Sequence, residues 1–483
     1  MSEIRDSAPD AVVVGAGPNG LAAAITLARE GHTVQVLERA AEVGGGSRSA
    51  ELTLPGFVHD VCSAIHPFGR TSPFFREAEL ERFGLRWIEP PAALAHPLDD
   101  GSAVIVTRDV DETARQLGAD RDAYRRLIGP IVRSFDSLLP DMLAPFHIPL
   151  QPRRALSLAW FGLNALQPAT WVARRFRDER ARALFAGVAA HSVLRLDEPV
   201  SSAAAIGLIA AAHNDGWPFP AGGAGEIPRA MTAALEDLGG SIRTDRPVDR
   251  LEDLPRSRLA LFDTSPGTLQ RVAGNRLPAA YREKLRNVRY GPSVFKVDIA
   301  LDGPIPWLNP DVALAGTVHL GGTFDEIDAS EAAAASGEVH PKPFVLLAQP
   351  SLFDRSRAPE GKHTVWAYCH VPHASTVDAS DAILGQIERY APGFRERVLS
   401  MKKTSSAELE ASNPNDVGGD ISGGRLDLRQ LFTRPVARLD PYSTPDPRLF
   451  LCSSSTPPGG GIHGMCGWHA AHSAVRRLVA RRA

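Results

Sequence analysis

A strand, a glycine-rich turn and a helix open the chain, and they constrain its fold more than any other feature. Residues 10–31 read DAVVVGAGPNGLAAAITLAREG, in which Val12 to Val14 form a β-branched run typical of a buried parallel strand. The apolar spacing after the turn predicts an amphipathic helix that ends at Gly31. Residues 33–38, TVQVLE, predict the second strand. The resulting βαβ unit indicates an α/β fold with a parallel sheet.

The three glycines of the turn suit three physical tasks. Gly15 permits the tight turn, Gly17 lets a pyrophosphate approach the backbone, and Gly20 lets the helix pack against the strand. The first turn of the helix offers free N–H groups and a partial positive charge to phosphates. Glu38 ends the second strand, where its carboxylate can accept hydrogen bonds from an adenosine ribose. The motif predicts a dinucleotide site, and the alternative is a βαβ unit whose glycines are needed for packing alone.

A second glycine cluster bears on which dinucleotide binds. Residues 39–49 read RAAEVGGGSRS and place Gly44, Gly45 and Gly46 in a row soon after the ribose-binding acid. Glycines at this point would let a further backbone segment close on the pyrophosphate from the other side. The cluster therefore favours FAD, and an ordinary flexible loop is the alternative.

The α/β pattern stops and returns twice along the chain. A glycine loop, a helix and short strands follow residue 219, and a strand, a glycine loop and a helix over 468–481 close the sequence. Helices are predicted at 115–127 and 181–193 in the first intervening stretch, and the second contains strands, of which SVFKVDIAL at 293–301 is the first. We therefore predict two interleaved domains. The FAD-binding domain takes residues 1–71, 216–290 and 436–483, and the substrate domain takes the mostly helical residues 72–215 and the sheet-containing residues 291–435.

Composition and spacing exclude several classes of protein. A net charge of −3 over 483 residues provides no basic field that would suit nucleic acid. The four cysteines form no CxxC pair, which argues against disulfide reductase chemistry and suits a reducing compartment. His and Cys residues nowhere show the spacing of metal ligands, so no metal is expected. The polar N-terminus lacks the features of a signal peptide, and we expect a cytoplasmic protein.

One apolar stretch bears on membrane contact. Residues 155–173 contain Asn164 and Pro168, so they do not read as a membrane span of about 20 apolar residues. Arginines flank the stretch on both sides, and such a helix can rest peripherally on a membrane surface. The alternative is a helix that packs over a core or lines an apolar pocket.

Motifs spread along nearly the whole chain resemble those of the phytoene desaturase and carotenoid oxidoreductase branch of FAD-dependent oxidoreductases, which is similar to the wider flavin amine oxidase superfamily. The matching segments are VVVGAGPNGLAAAITLAREG, LERAAEVGGGSRS, PFPAGGAGEIPRAM, FDTSP, GGDISGGRLDLRQLFTRP and LFLCSSSTPPGGGIHGM. The resemblance implies a Rossmann-like FAD-binding domain with an interleaved substrate domain. It also implies dehydrogenation or desaturation of a lipophilic or extended small molecule, with hydride transfer to flavin N5.

Two further functions stay open, as does the electron acceptor. A flavin amine oxidase is one alternative, although Met465 stands where those enzymes usually place an aromatic residue. A regulatory FAD-binding protein without robust turnover is the other. The chain has no second strand–GxGxxG–helix unit for NAD(P)H, so electrons are expected to pass to oxygen, a quinone or another carrier.

Motif and resemblance together assign the cofactor site. Val248 matches the position whose backbone commonly holds the adenine, and Gly46 stands where relatives often place arginine, so phosphate neutralisation is expected to shift to Arg48. A serine turn at 453–455 replaces a glycine-containing one, which predicts a tighter or differently hydrogen-bonded turn. The predicted cofactor-binding residues are Gly15, Gly17, Pro18, Asn19, Gly20, Glu38, Arg39, Gly44, Gly45, Gly46, Ser47, Arg48, Val248, Gly460, Gly461 and Ile462.

Lys296 and His463 are the candidate catalytic residues. Lys296 lies in a strand that resembles one in flavin amine oxidases where a lysine holds a water against flavin N5, and an exposed lysine is the alternative. His463 lies in the C-terminal glycine loop, where it could stabilise negative charge near the flavin; a histidine satisfied by backbone is the alternative. His59, Asp60 and His66 follow the glycine cluster and are candidates to approach the flavin, or else turn and cap residues.

Overall fold

Two sheets, each assembled from strands far apart in sequence, organise the chain. The structure is a computed structural model and describes residues 8–480; the first residues of the polar N-terminus and the predicted helix end at Arg481 lie outside this range. The strands are β1 (Ala11–Val14), β2 (Val34–Leu37), β3 (Ser49–Glu51), β4 (Val58–Asp60), β5 (Trp87–Ile88), β6 (Ala92–Pro97), β7 (Ala103–Val106), β8 (Phe219–Pro220), β9 (Ser241–Arg243), β10 (Leu259–Phe262), β11 (Ser293–Leu301), β12 (Ala315–Leu320), β13 (Val345–Ala348), β14 (His363–Val371), β15 (Val398–Thr404) and β16 (Leu449–Leu451).

Helices cover both sheets, and short 3-10 turns join many of them. The α-helices are α1 (Pro18–Arg29), α2 (Pro73–Ala78), α3 (Val110–Gln116), α4 (Arg121–Met142), α5 (Pro152–Ala165), α6 (Ala169–Ala173), α7 (Glu179–Ala189), α8 (Ser202–Asp215), α9 (Glu226–Asp237), α10 (Pro266–Ala273), α11 (Ala279–Arg286), α12 (Phe324–Ser336), α13 (Ser380–Tyr390), α14 (Ser406–Ser412), α15 (Leu428–Thr433) and α16 (Met465–Ala480).

The first sheet is parallel throughout, with strand order β16-β10-β1-β2-β9. Its central strand β1 is the buried valine run, and helix α1 packs against α9 and α16. A strand buried on both faces needs such a continuous apolar run, since helices cover a parallel sheet from above and below. The βαβ unit and the α/β fold predicted from the sequence are confirmed. The sheet draws its strands from the beginning, middle and end of the chain.

The second sheet has strand order β15-β11-β14-β13-β12-β6-β7 and is antiparallel except for the β12–β6 pair. Helix α13 packs on one face, where Val297 and Ile299 of β11 meet Ile383 and Ile387. The other face meets helices α7 and α12 and carries Trp366 and Tyr368 of β14. The alternation of β11 thus places its odd-numbered residues in the α13 core and its even-numbered residues on the opposite face.

Two local expectations need correction in the stretch 72–215. The predicted helix at 115–127 is wrong, because α3 ends at Gln116 and α4 begins only at Arg121; Gly118 between them has φ of +53°, which breaks the helix. The hairpin of β6 and β7 was not anticipated, and it joins the second sheet at β12. Its pairing partners lie more than 200 residues away, so local periodicity gives no sign of them. The helix predicted at 181–193 is present as α7 and a 3-10 turn.

Candidate functional site

A cavity of about 1750 Å³ lies between the two sheets and extends to the surface beside α5. The turn after β1 forms one end, with Gly17, Glu38 and Val248 in the wall. The middle is lined by the segment after β4 and by the C-terminal glycine loop, and the outer chamber is lined mainly by apolar side chains of α5 and its neighbours. A site for one drug-sized ligand occupies about 300–1,000 Å³. The cavity therefore has room for a dinucleotide and a second molecule.

Most of the predicted cofactor-binding residues lie in the wall of this cavity. Those that line it are Gly15, Gly17, Pro18, Asn19, Glu38, Arg39, Gly45, Gly46, Arg48, Val248, Gly460, Gly461 and Ile462. Gly20, Gly44 and Ser47 lie behind the wall. A Cβ atom at Gly20 would stand 2.1 Å from the Gly15 carbonyl oxygen, and the Gly44 N–H donates to Ala16 O at 2.9 Å, so these residues shape the turn.

The turn itself closes on Asp263, a residue that the sequence analysis did not select. Asp263 follows β10, and its Oδ2 accepts a hydrogen bond from the Gly20 N–H at 2.8 Å. A Cβ atom at Gly17 would lie 2.7 Å from the same Oδ2. One N–H of the α1 N-terminus is thus already taken by a carboxylate. Burial raises the pKa of Asp263 to about 7, helped by the negative charge of Glu38 and opposed by the bond from Gly20.

The ribose-binding acid is held in place by backbone. Glu38 Oε2 accepts from the Ala16 N–H at 2.7 Å, and its Oε1 accepts from the Ala40 N–H at 2.9 Å. A carboxylate has about four lone-pair sites, so both oxygens can still accept from a ligand hydroxyl. Arg48 donates from Nε to Gly45 O at 3.0 Å and from Nη2 to Ser412, which fixes the guanidinium beside the glycine cluster. Its expected role in neutralising phosphate stays a prediction.

A buried arginine holds the C-terminal serine turn. Arg434 is 4% exposed, lines the cavity, and donates from Nη2 to Ser454 O at 2.7 Å and to Gly423 O at 3.0 Å. Its Nε donates to Ser455 O at 3.3 Å. Burial among carbonyl groups lowers the pKa of Arg434. The serine turn is therefore tied to the chain by side-chain hydrogen bonds, which fits the altered bonding expected from its sequence.

His463 lies in the cavity wall, and one of its ring nitrogens is bonded to backbone. Nδ1 accepts from the Met465 N–H at 3.1 Å and so caps the first turn of α16, while the His463 carbonyl accepts from Ser72 Oγ at 2.8 Å. Burial lowers the pKa of His463 to about 4, so the imidazole is neutral. Nδ1 therefore matches the alternative of a histidine that is hydrogen-bonded to backbone. A role for Nε2 near a cofactor stays a prediction.

Lys296 lies in a buried ion pair rather than in the cavity wall. Its ammonium donates to Asp298 on the same face of β11, and the side chains of both residues are buried. The exposed alternative is therefore wrong, since Lys296 is 2% exposed, and a role for Lys296 beside a flavin stays a prediction. A buried ammonium needs a carboxylate close by, because an unpaired buried charge is costly. Cys62, which does line the cavity, has its pKa raised to about 12 by burial.

The segment after the glycine cluster divides between structure and cavity. Asp60 accepts from Arg357 Nη2 at 2.7 Å, and His59 Nε2 pairs with Thr53 Oγ1 at 2.8 Å, so these two residues have structural partners. His66 lines the cavity and has a buried Nδ1 without a hydrogen-bond partner among the described residues. Burial lowers the pKa of His66 to about 4.

The mouth of the cavity carries an exposed apolar surface, which we call the mouth patch. Its members come from the loop before α5, from α5, from Trp171 of α6 and from Phe432 of α15. Each is at least two-fifths exposed, and they are Phe146, Ile148, Leu150, Leu156, Trp160, Leu163, Leu166, Trp171 and Phe432. Arg153, Arg174 and Arg175 are exposed on the same two helices and the turn that follows. Within residues 8–480 no helix is long and apolar enough to cross a bilayer.

Comparison with known proteins adds a family context to this geometry. A model described as an NAD(P)-binding Rossmann-like domain matches residues 13–78, the stretch that holds the βαβ turn. The pyridine nucleotide-disulfide oxidoreductase domain-containing protein 2 of Rattus norvegicus is 27% identical, over 97% of this chain and 94% of that protein. The zeta-carotene-forming phytoene desaturase of Myxococcus xanthus is also 27% identical, over 93% of this chain and 90% of that protein. The homologues of this chain are thus oxidoreductases.

A solved structure supports the same fold. Cyclohexylamine oxidase from Brevibacterium oxydans superposes with a TM-score of 0.60 at 17% identity, covering 98% of this chain and 100% of that one. The chain thus has the α/β architecture of amine oxidases and homologues among phytoene desaturases, as the motifs indicated. The Rossmann-like domain match and the desaturase homologue agree with a flavin-type cofactor.

Proposed function

We propose that this protein is an FAD-dependent dehydrogenase that desaturates a lipophilic or extended small molecule. The observation that carries the proposal is the continuity of the cavity, which runs from the dinucleotide turn at Gly17 to an apolar outer chamber. When bound, FAD supplies a hydride acceptor at flavin N5. The chain's own residues would hold the dinucleotide, exclude water from the chamber, and align an apolar substrate beside it.

Residues of the wall fit FAD. The glycine turn and the second glycine cluster meet so closely that a Cβ atom at Gly45 would lie 3.1 Å from Gly17 Cα, which leaves backbone N–H groups to face a pyrophosphate. Glu38 and Val248 line the cavity at the end where the adenosine would lie. Asn19 Oδ1 and Arg434 Nη1 are buried polar atoms in cavity-lining residues and lack partners within the described part of the chain. Such orphaned atoms are the groups that a polar cofactor would satisfy.

An amine oxidase activity is the second candidate. Trp366 and Tyr368 line the cavity as an edge-to-face pair with ring centroids 5.1 Å apart, and aromatic faces suit a cation such as an ammonium group. The outer chamber, lined by leucine, phenylalanine and alanine side chains of α5, α8 and the loop before α5, instead favours an apolar polyene such as phytoene.

Reduction of the bound flavin separates the candidates. Purified protein should be yellow and carry about one FAD per chain, and phytoene in detergent should bleach the oxidised-flavin spectrum without oxygen. A panel of primary amines in the same assay tests the alternative. Reoxidation by air or by a soluble quinone then identifies the electron acceptor. A colourless protein that takes up no FAD would refute the proposal.

We further propose that this protein is cytoplasmic and that its mouth patch docks it onto an anionic lipid surface. Large apolar side chains beside exposed arginines match the chemistry of an acyl boundary and its headgroups, and an apolar substrate would enter the cavity directly from the lipid. Leu150 and Leu156 belong to the patch but do not line the cavity, so they can be changed without altering the chamber.

Aspartate at either of these leucines should weaken vesicle binding about tenfold, because burying a leucine side chain contributes about 1.5–3 kcal/mol. Sedimentation with phosphatidylglycerol vesicles measures the effect. Leu308→Asp is the matched control, since Leu308 is 58% exposed but lies beside Tyr390 at the end of α13. Equal losses for all three variants would contradict the proposal. So would wild-type binding that is the same at high and low salt, or the same on neutral and on anionic vesicles.

The affinity for FAD should fall as pH rises through about 7. Asp263 is ionised above its raised pKa of about 7 and then places a negative charge beside the turn that receives the pyrophosphate. The same group stabilises the fold at low pH, and that contribution is lost as pH rises through about 7. Titrating apoprotein with FAD at about pH 6 and about pH 8.5 measures the change, which Asp263→Asn should abolish. A wild-type affinity that is flat with pH would exclude this role.

A further inference from the structure

Four histidines and a glutamate lie together on the face of the second sheet that meets α7 and α12. The cluster consists of His96 on β6, His191 in the turn after α7, His319 on β12, His370 on β14 and Glu331 on α12. All but His191 are at most 2% exposed, and His191 lines the cavity. No group of side chains within residues 8–480 has the arrangement of a metal site. Neither the cofactor site nor the mouth patch uses these residues.

Contacts within the cluster connect the cavity to the interior. His191 Nε2 lies 2.9 Å from His319 Nε2, and His96 Nε2 lies 2.9 Å from the Gly322 carbonyl oxygen. His319 Nδ1 and His96 Nδ1 are buried without partners among the described residues, and both face Gly187: a Cβ atom there would lie 3.0 Å from one and 3.1 Å from the other. Rings of Trp217 and Phe344 pack on His319 and hold its orientation.

These contacts favour one position for the proton in each ring. A carbonyl oxygen only accepts, so His96 is protonated on Nε2 and presents a lone pair at Nδ1. Both Nδ1 atoms face the space beside Gly187, and an N–H of His319 facing the lone pair of His96 there is more favourable than a second lone pair. This arrangement gives His319 its proton on Nδ1 and an acceptor at Nε2. His191 must then donate from Nε2. Its Nδ1 is left as a lone pair, and His191 has no other hydrogen-bond partner in the described chain.

We propose that His191 is the proton acceptor for the substrate in the cavity, with His319 and His96 as the positioning residues that hold its tautomer. The proposal rests on the dehydrogenase function. Desaturation breaks two neighbouring C–H bonds and forms one C=C bond. One hydrogen leaves with both electrons to the hydride acceptor, a flavin in the proposed function, and the other leaves as a proton to His191 Nδ1. The apolar chamber needs such a base because it excludes the water that would otherwise take this proton.

Burial keeps His191, His96 and His319 neutral between turnovers, so the base is free to accept. It lowers the pKa of His191 to about 3, aided by His370, and lowers that of His96 to about 4. The other titratable groups near His191 are the buried His370–Glu331 pair, joined at 2.8 Å, and Tyr368, whose phenol is kept protonated by burial. A weak base suffices here, because a carbon that has lost a hydride makes its neighbouring C–H bond strongly acidic.

Histidine tautomers test the proposal without turnover. Nitrogen NMR of the full-length, flavin-loaded protein with labelled histidine should show His96 and His191 protonated on Nε2 and His319 protonated on Nδ1. His319→Gln should release His191 into a mixture of tautomers, whereas His213→Gln, which removes a buried histidine outside the cavity wall, should leave its signals unchanged. A proton found on His191 Nδ1 in the wild type would overturn the assignment.

Flavin reduction by the polyene or amine that bleaches the wild type tests the step itself. His191→Ala should lower the reduction rate about 10²- to 10⁴-fold with little change in substrate affinity, and added imidazole should restore part of the rate. His191→Gln provides a second variant if the alanine protein folds poorly. A loss confined to substrate affinity, or no rescue by imidazole, would show that His191 only anchors the substrate. Either result would refute its role as the proton acceptor. If no compound reduces the wild-type flavin, the dehydrogenase proposal fails, while the tautomers still decide the arrangement at His191.

Discussion

Replacing Asp60 by alanine is expected to lower the free energy of unfolding by about 3–5 kcal/mol, because it leaves a buried arginine without its counter-ion. Asp60 and Arg357 have side chains that are each 1% exposed and are joined at 2.7 Å. Arg357 Nη1 already lacks a partner among the described residues, so the guanidinium has few other groups to satisfy it. Asp60 Oδ1 also accepts from Ser49 Oγ at 2.7 Å and from the Ala224 N–H at 2.8 Å.

Urea unfolding followed by circular dichroism measures this loss, and Asp197→Ala is the matched control. Asp197 also pairs with an arginine, Arg195, but the two side chains are 49% and 46% exposed, and such surface pairs contribute about 0.2–1 kcal/mol. Converting Asp60 and Arg357 together to apolar residues should recover much of the loss, since no unpaired charge remains. Similar losses for Asp60→Ala and Asp197→Ala would show that burial of the pair does not control its strength.

The size of the effect follows from where Asp60 lies in the fold. It ends β4, contacts the segment before α9 through Ala224, and reaches Arg357 in the connection between β13 and β14. Three pieces of chain separated by more than 100 residues therefore meet at one carboxylate. The sequence offered Asp60 as a flavin-approaching or capping residue, and the structure shows that it ties β4 to the segment before α9 and to the connection between β13 and β14.

Local chemistry made the dinucleotide half of the molecule predictable. The turn at residues 15–20, the acid at Glu38 and the strand at 259–262 each carry a signal that lies within a few residues. Glycine indicates a close approach, an acid at a strand end suits a ribose, and a short continuous apolar run indicates a buried strand. The structure confirms the parallel sheet and places most of the predicted cofactor-binding residues around one cavity. Asp263 was within reach of the same reasoning, since it is a polar residue at the end of a parallel strand.

Long-range contacts explain what could not be predicted. Lys296 pairs with Asp298, which strand alternation places on the same face of β11 but does not by itself select as the partner. The histidine cluster joins β6, the turn after α7, β12, α12 and β14. His96 and His370 lie 274 residues apart, so no spacing rule connects them. Arg434 is held by backbone carbonyls of a turn that follows it by 20 residues. A site formed by one segment can be predicted from the sequence, whereas a site that the fold assembles from distant segments cannot.

Replacing Gly17 by alanine should weaken FAD binding about tenfold to a hundredfold. The new methyl group would stand 2.7 Å from Asp263 Oδ2 in the wall of the cavity, and overpacking of this kind costs about 1–3 kcal/mol. Flavin fluorescence quenching on titration of apoprotein gives the dissociation constant. Gly267→Ala is the matched control, because a Cβ atom there meets nothing within 4 Å in helix α10. That variant should bind FAD normally and be slightly more stable, as helix interiors favour alanine.

A double variant separates the two reasons for glycine at position 17. If the clash with Asp263 causes the loss, Gly17→Ala combined with Asp263→Ala should bind FAD about as tightly as Asp263→Ala alone. If the methyl group instead blocks the pyrophosphate directly, Gly17→Ala should weaken FAD binding by the same factor whether or not Asp263 is present. Unchanged FAD affinity in Gly17→Ala itself would place the pyrophosphate elsewhere in the cavity and refute the role assigned to the turn. The outcome therefore decides whether Gly17 is required by the cofactor or by the strand end beneath it.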